Sequence, residues 1–159
     1  TSEINSIPSL ILAADGIFCM LFAMFKTRSD KLELIDTGDY TTEEYAGCLA
    51  ELRRINRFLG DNRAVRQTLF RDIEKTNAAA FSLLDVGAGS GEILRLAARF
   101  ARRRGMRAAL CGLDFNHLSA VAIRDESADF AEISAVRGDA LRLPFADESF
   151  DYAVCTLFT

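Results

Sequence analysis

The chain has 159 residues, half of them apolar, which is enough for one domain with a buried core. A net charge of −4 gives no basic footprint for a phosphate backbone, so nucleic acid is not an expected partner. Four cysteines, Cys19, Cys48, Cys111 and Cys155, stand far apart with one histidine, His117, so no metal site is expected.

The chain begins with an apolar stretch, Leu10 to Phe25, interrupted by Asp15 and Gly16. It falls short of the roughly 20 residues that cross a bilayer, so no membrane span is expected. Only Glu3 is charged before it, unlike the basic start of a secretory signal. It reads as a buried or partner-facing segment, and Lys26 to Asp39 as a polar surface connection, so that residues 1–40 form an amino-terminal segment and linker.

Residues 41–80 read as two helices. Thr41 with Glu44 is a capping-box pair, Glu43 and Glu44 fill the first turn, and Arg53, Arg54 and Arg57 fill the last. The apolar face is Tyr45, Leu49, Leu52, Ile55 and Leu59, and Gly60 is the stop. Asp61 or Asn62 caps a second helix with the stripe Val65, Leu69, Phe70 and Ile73, ending near Asn77. The arginines read as a solvated face; the functional alternative makes the two helices a cover over a ligand crevice.

From Phe81 the pattern is strand, helix, strand, helix, strand, strand, which predicts a Rossmann-like α/β fold with a doubly wound parallel sheet, here its first four strands. The strands are Phe81 to Val86, Ala108 to Leu113, Ile133 to Val136 and Phe150 to Cys155. The first helix carries Ile93, Leu94, Ala97, Phe100 and Ala101 and ends at Arg102-Arg103-Arg104-Gly105, a helix terminus rather than a nucleic-acid patch. Asn116 caps the second, with Leu118, Val121, Ala122 and Ile123. Cys111 and Cys155, inside strand patterns, read as small buried hydrophobes in a reducing compartment, which points to the cytoplasm. The chain lacks an initial methionine and stops just past the fourth strand, so it reads as a fragment truncated at its carboxyl end, inactive by itself.

Between the first strand and helix lies Gly87-Ala88-Gly89-Ser90-Gly91. Glycine here permits a tight reversal and close approach of a ligand to bare backbone, in the crevice beyond the carboxyl ends of the strands. Three acids fall at that same edge: Asp85 before the turn, Asp114 after the second strand, Asp139 after the third. A pyrophosphate would be repelled by them, whereas S-adenosylmethionine, with a sulfonium and an ammonium against one carboxylate, suits an acidic rim. A dinucleotide Gly-x-Gly-x-x-Gly also fails, since the third glycine would fall at Glu92 or Leu94.

Three separated motifs carry a family resemblance: Leu84-Asp85-Val86-Gly87-Ala88-Gly89-Ser90-Gly91, then Gly112-Leu113-Asp114, then Gly138-Asp139-Ala140 with Leu143-Pro144-Phe145-Ala146-Asp147-Glu148-Ser149-Phe150-Asp151. In these the chain resembles the class I S-adenosylmethionine-dependent methyltransferases, especially the small-molecule type of ubiquinone and menaquinone biosynthesis. The resemblance covers about residues 81–158 and implies a cofactor-binding domain over 81–159.

By that resemblance Gly87, Ala88, Gly89 and Gly91 would border the methionine part of the cofactor and Asp85 would reach its ammonium. Asp114 would hold the ribose hydroxyls and Phe115 would lie against the adenine. Asp139 would accept from the adenine amino group, the Ala140 N–H would meet a ring nitrogen, and Thr156 and Leu157 would border the transferred methyl. Taken singly, Asp114 could be a helix cap, Phe115 core and Asp139 a turn residue. Pro144, Phe145 and Phe150 read as packing residues and His117 as a surface residue. No catalytic base is evident. Cys155-Thr156-Leu157-Phe158 replaces the Pro-Pro motif of nucleic-acid and glutamine methylating members, which leans toward oxygen or carbon methylation of a small molecule. The alternatives are an NAD(P)-binding oxidoreductase domain and a non-catalytic partner-binding module.

Overall fold

The computed structural model describes residues 40–59 and 61–156. The apolar segment Leu10 to Phe25, the connection Lys26 to Asp39, Gly60 and Leu157 lie outside the described residues.

Helix α1, Thr42–Leu59, opens on the expected reciprocal cap. The Thr41 N–H donates to Glu44 Oε2 at 2.7 Å and the Glu44 N–H to Thr41 Oγ1 at 3.2 Å. These bonds favour the ionised form and hold the Glu44 carboxyl below its ordinary range. Tyr45 and Leu49 are buried, as the helical spacing requires.

The second predicted helix is built in three parts: α2, Asp61–Val65, a π-helical turn, Arg66–Phe70, and α3, Arg71–Thr76. The wider turn accompanies the burial of two adjacent side chains, Leu69 and Phe70, and Phe70 stacks on Phe100 at 4.4 Å. Asn77, at φ 50°, closes the segment.

Strands β1, Ala80–Val86, β2, Arg107–Asp114, β3, Ile133–Arg137, and β4, Tyr152–Cys155, form one sheet in the order β3-β2-β1-β4. Every pairing is parallel. Helix α4, Glu92–Arg104, links β1 to β2, and α5, His117–Glu126, links β2 to β3. The order reverses between β1 and β4, the topological switch point where open α/β sheets hold their ligands.

Alternation along the strands separates two cores. On one face Phe81, Leu83 and Leu110 pack with Leu94, Ala97 and Phe100 of α4 and Ile123 of α5. On the other, Leu84, Cys111 and Leu113 meet Val136, Ala140, Phe145 and Phe150, the last two edge to face at 5.1 Å. Among the described residues that face is covered by the irregular connection between β3 and β4. Gly112 allows the helical layer to close, because a Cβ there would stand 2.8 Å from both Ile123 Cδ1 and Leu94 Cδ1.

The basic run at the end of α4 is a helix terminus, as expected. Arg102 makes a two-armed pair with Glu132, 2.7 and 2.8 Å, and lies over the Phe130 ring; Arg104 pairs with Glu74, and Gly105 closes the helix at φ 65°. One expectation is corrected. Cys111 is buried but Cys155 is exposed, because β4 stands at the margin of the sheet and pairs with β1 alone among the described strands.

Leu83→Ala, which empties a fully buried site, is expected to cost about 2–5 kcal/mol in urea denaturation. Leu141→Ala, at a side chain 89% exposed, should stay within about 0.5 kcal/mol. Equal effects would contradict the assigned core.

Candidate functional site

The chain leaves β1 through a turn fastened to the end of β2. The N–H groups of Gly87 and Ala88 both donate to the Leu113 carbonyl, at 2.9 and 3.2 Å, and the Gly91 N–H donates to the Ala88 carbonyl at 2.8 Å. Gly87, Gly89 and Gly91 have φ of 73°, 53° and 79°, where a side chain is strained. At Gly91 a Cβ would also press on Ile123 Cγ1 at 3.1 Å.

Asp114, the last residue of β2, faces that turn. Its Oδ2 accepts the Gly89 N–H at 2.9 Å and its Oδ1 accepts the Asn116 N–H at 2.9 Å. Asn116 accepts the Leu118 N–H at 2.9 Å and thus caps α5, as its position predicts.

Asp85 is one residue short of the end of β1, on the helical face of the sheet, and only 2% exposed. No hydrogen bond to its carboxyl comes from a described residue. Burial, and then the negative charge of Asp114, push it up to about 8 from an ordinary value near 3.8. Cys155, opposite Val86 on β4, is close enough for the Asp85 charge, after burial, to raise its thiol.

The third acid is brought to the same edge by the Gly138 N–H, which donates to the Asp114 carbonyl at 2.9 Å. Asp139 itself is exposed and makes a turn: its Oδ1 accepts the Leu141 N–H at 2.8 Å and its carbonyl accepts the Arg142 N–H at 3.0 Å. Ala140 is half-buried against the second core, Phe115 is 58% exposed, and Thr156 is half-buried just past β4. The predicted residues therefore gather at the carboxyl ends of β1, β2, β3 and β4. His117 is exposed, in keeping with a surface residue.

Helix α1 reaches this edge from far away in the chain. Tyr45 Oη and Ser119 Oγ share a short hydrogen bond of 2.5 Å, Asn116 Nδ2 donates to Tyr40 Oη, and the two tyrosine rings stack at 5.3 Å. Burial, with the Asp114 charge adding to it, pushes the Tyr45 hydroxyl up to about 12. Leu49 lies over the glycine turn, its Cδ2 3.8 Å from where a Gly89 Cβ would stand. Sequence reasoning assigned Tyr45 and Leu49 to an apolar face but did not find Tyr40 or Ser119 near the site. The partners are separated by 74 and 76 positions, and no local pattern links them.

No cluster of metal-ligating side chains occurs among the described residues, and no described helix is long and apolar enough to cross a membrane. A groove of about 500 Å³ lined by Val121, Ile123, Phe130 and Ile133 lies toward the start of β3, at the other end of the sheet from the acids.

The Asp85 environment sets a pH signature. Below about pH 4 the group is protonated whether folded or unfolded. As pH rises, the unfolded chain ionises first, so folded stability falls until about pH 8, where the folded group ionises too. Asp85→Asn is neutral throughout and is expected to exceed the parent by more than about 1.4 kcal/mol at pH 8, the gap closing toward pH 4. Urea titrations of both proteins across pH 4–9 check this; a constant gap would contradict it.

Residues 83–159 match the family described as a methyltransferase domain. Over 69 residues the chain is 39% identical to the demethylmenaquinone methyltransferase of Thermobifida fusca, covering 43% of this chain and 28% of that one. Over 67 residues it is 37% identical to the 2-phytyl-1,4-naphtoquinone methyltransferase of Thermosynechococcus vestitus, covering 42% and 28%. The chain thus spans less than a third of the length of these curated relatives. Its fold is shared with a protein of Methanococcus maripaludis inferred to be an S-adenosyl-L-methionine-dependent methyltransferase, at 18% identity and a TM-score of 0.51, covering 81% of this chain and 53% of that one. Residues 83–159, with their glycine turn and parallel sheet, are thus similar to a methyltransferase domain.

Proposed function

We propose that the carboxyl edge of the sheet binds S-adenosylmethionine and serves methyl transfer to oxygen or carbon of a small-molecule acceptor. The observation that carries this reading is Asp85. A carboxyl removed from water, with no hydrogen-bond donor among the described residues and a second carboxylate nearby, is stabilised best by a cation from outside the chain. The ammonium of the cofactor supplies one, and the glycine turn leaves bare backbone beside it.

In this reading Gly87, Ala88, Gly89 and Gly91 border the methionine part, and Asp85 meets its ammonium. Asp114, already oriented by two backbone N–H groups, holds the ribose hydroxyls, and exposed Phe115 lies against the adenine. Asp139 and the Ala140 N–H address the adenine edge, and Thr156 borders the transferred methyl. The bound cofactor supplies a methyl group on positive sulfur, so the chain's task is alignment and exclusion of water. Residues 41–80 act as a helical cover, a role supported by Leu49 over the glycine turn and by the tyrosine contacts to α5. The curated relatives, named for quinone substrates, support a small-molecule acceptor. The free thiols of Cys48, Cys111 and Cys155 support a reducing compartment, the cytoplasm.

Calorimetric titration with S-adenosylhomocysteine, which keeps the same ammonium and ribose, tests the reading. Micromolar binding is expected, weakened at least about tenfold by Asp114→Ala or Asp85→Asn, with none for NAD. Affinity should rise with pH toward 8, as Asp85 ionises. A folded chain that fails to bind overturns the reading.

A further inference from the structure

We infer that Arg95 is a positioning residue for the cofactor site, holding the Ser90–Gly91 peptide so that the glycine turn is set before the ligand arrives. The inference rests on the S-adenosylmethionine reading of that turn.

Arg95 lies on the first turn of α4 and is only 8% exposed, unusual for a guanidinium. Nη1 donates to the Ser90 carbonyl at 2.5 Å and reaches Ser127 Oγ at 3.4 Å, while Nη2 pairs with Glu126 Oε2 at 3.0 Å. One planar fork thus joins the glycine turn to the end of α5.

The Ser90 carbonyl and the Gly91 N–H belong to one peptide plane. Arg95 holds the carbonyl end, and the Ala88 carbonyl, at 2.8 Å, holds the N–H end. That plane turns on the ψ of Ser90 and the φ of Gly91, a left-handed glycine at φ 79° that offers little side-chain resistance. Gly89, the residue before Ser90 in the same turn, supplies the N–H that orients Asp114 at 2.9 Å. Arg95 therefore acts through backbone, on the turn and through it on the acid.

Two readouts on the chain test this: amide hydrogen exchange over residues 88–92 without ligand, and affinity for S-adenosylhomocysteine. Arg95→Met should speed exchange in that stretch and weaken binding at least about tenfold, the loss of a charge-assisted bond to the turn. Glu126→Gln, which removes the ion pair but leaves the donor to Ser90, should bind within about threefold of the parent. Phe100→Leu, a core change toward the far end of α4 from the turn, should lower the melting temperature without changing affinity. Unchanged exchange or unchanged affinity in Arg95→Met overturns the inference, as does an affinity loss in Phe100→Leu matching its stability loss. If Arg95→Met does not fold, Arg95→Met combined with Glu126→Gln, which removes the carboxylate left without its guanidinium, is read in its place with the same two outcomes. Failure of the parent chain to bind overturns the cofactor reading and this inference with it; binding by parent and Arg95→Met alike overturns the inference alone.

Discussion

The end of β2 is the constraint on which the rest of the site depends. Within two residues, the Leu113 carbonyl takes the Gly87 and Ala88 N–H groups, the Asp114 carbonyl takes the Gly138 N–H, and the Asp114 carboxylate takes those of Gly89 and Asn116. The turn after β1, the start of α5 and the loop after β3 are all anchored there. Hydrogen bonds to a charged acceptor are worth about 1.5–3 kcal/mol each, against about 1 for neutral pairs, so the two carboxylate bonds carry most of the local specification. Substituting Asp114 therefore disturbs the turn as well as any ligand.

Against that well-satisfied carboxylate, Asp85 is the costly one. It is packed on the helical face, opposite Gly112 in β2, which contributes no side chain. A neutral isostere would stabilise the empty fold at neutral pH, so folding alone does not account for the residue, whereas the proposed ammonium contact would. Arg95 makes the complementary case: a buried ion is tolerated because the turn carbonyl, Glu126 and Ser127 all face it.

Much of this was legible in the sequence. Strand runs bounded by glycine and helical apolar stripes located all four strands and the helices between them, and the capping pairs at Thr41 and Asn116 were read from single residues. Acid positions at successive strand ends placed Asp85, Asp114 and Asp139 on one edge, because parallel strands share their direction. What pattern could not supply was anything set by tertiary contact. The π-helical turn at Arg66–Phe70 reflects how Phe70 meets Phe100, and the exposure of Cys155 follows from the marginal place of β4. Tyr40 and Ser119 join the site through long-range packing of α1. Arg95 lay hidden because one arginine between Leu94 and Leu96 looks like any polar residue of a helix. Asp139 is a turn former, one of its two readings, and it stands at the acid edge.

The proposed site requires one nucleoside-like ligand carrying an ammonium to span the strand ends. Backbone amide NMR shifts of the labelled chain are followed as S-adenosylhomocysteine is added. Coupled movement of Gly87 to Gly91, Asp114 and Phe115, and Asp139 and Ala140 is expected, with the groove between α5 and β3 unmoved. Shifts confined to that groove, or none in a folded chain, would contradict it.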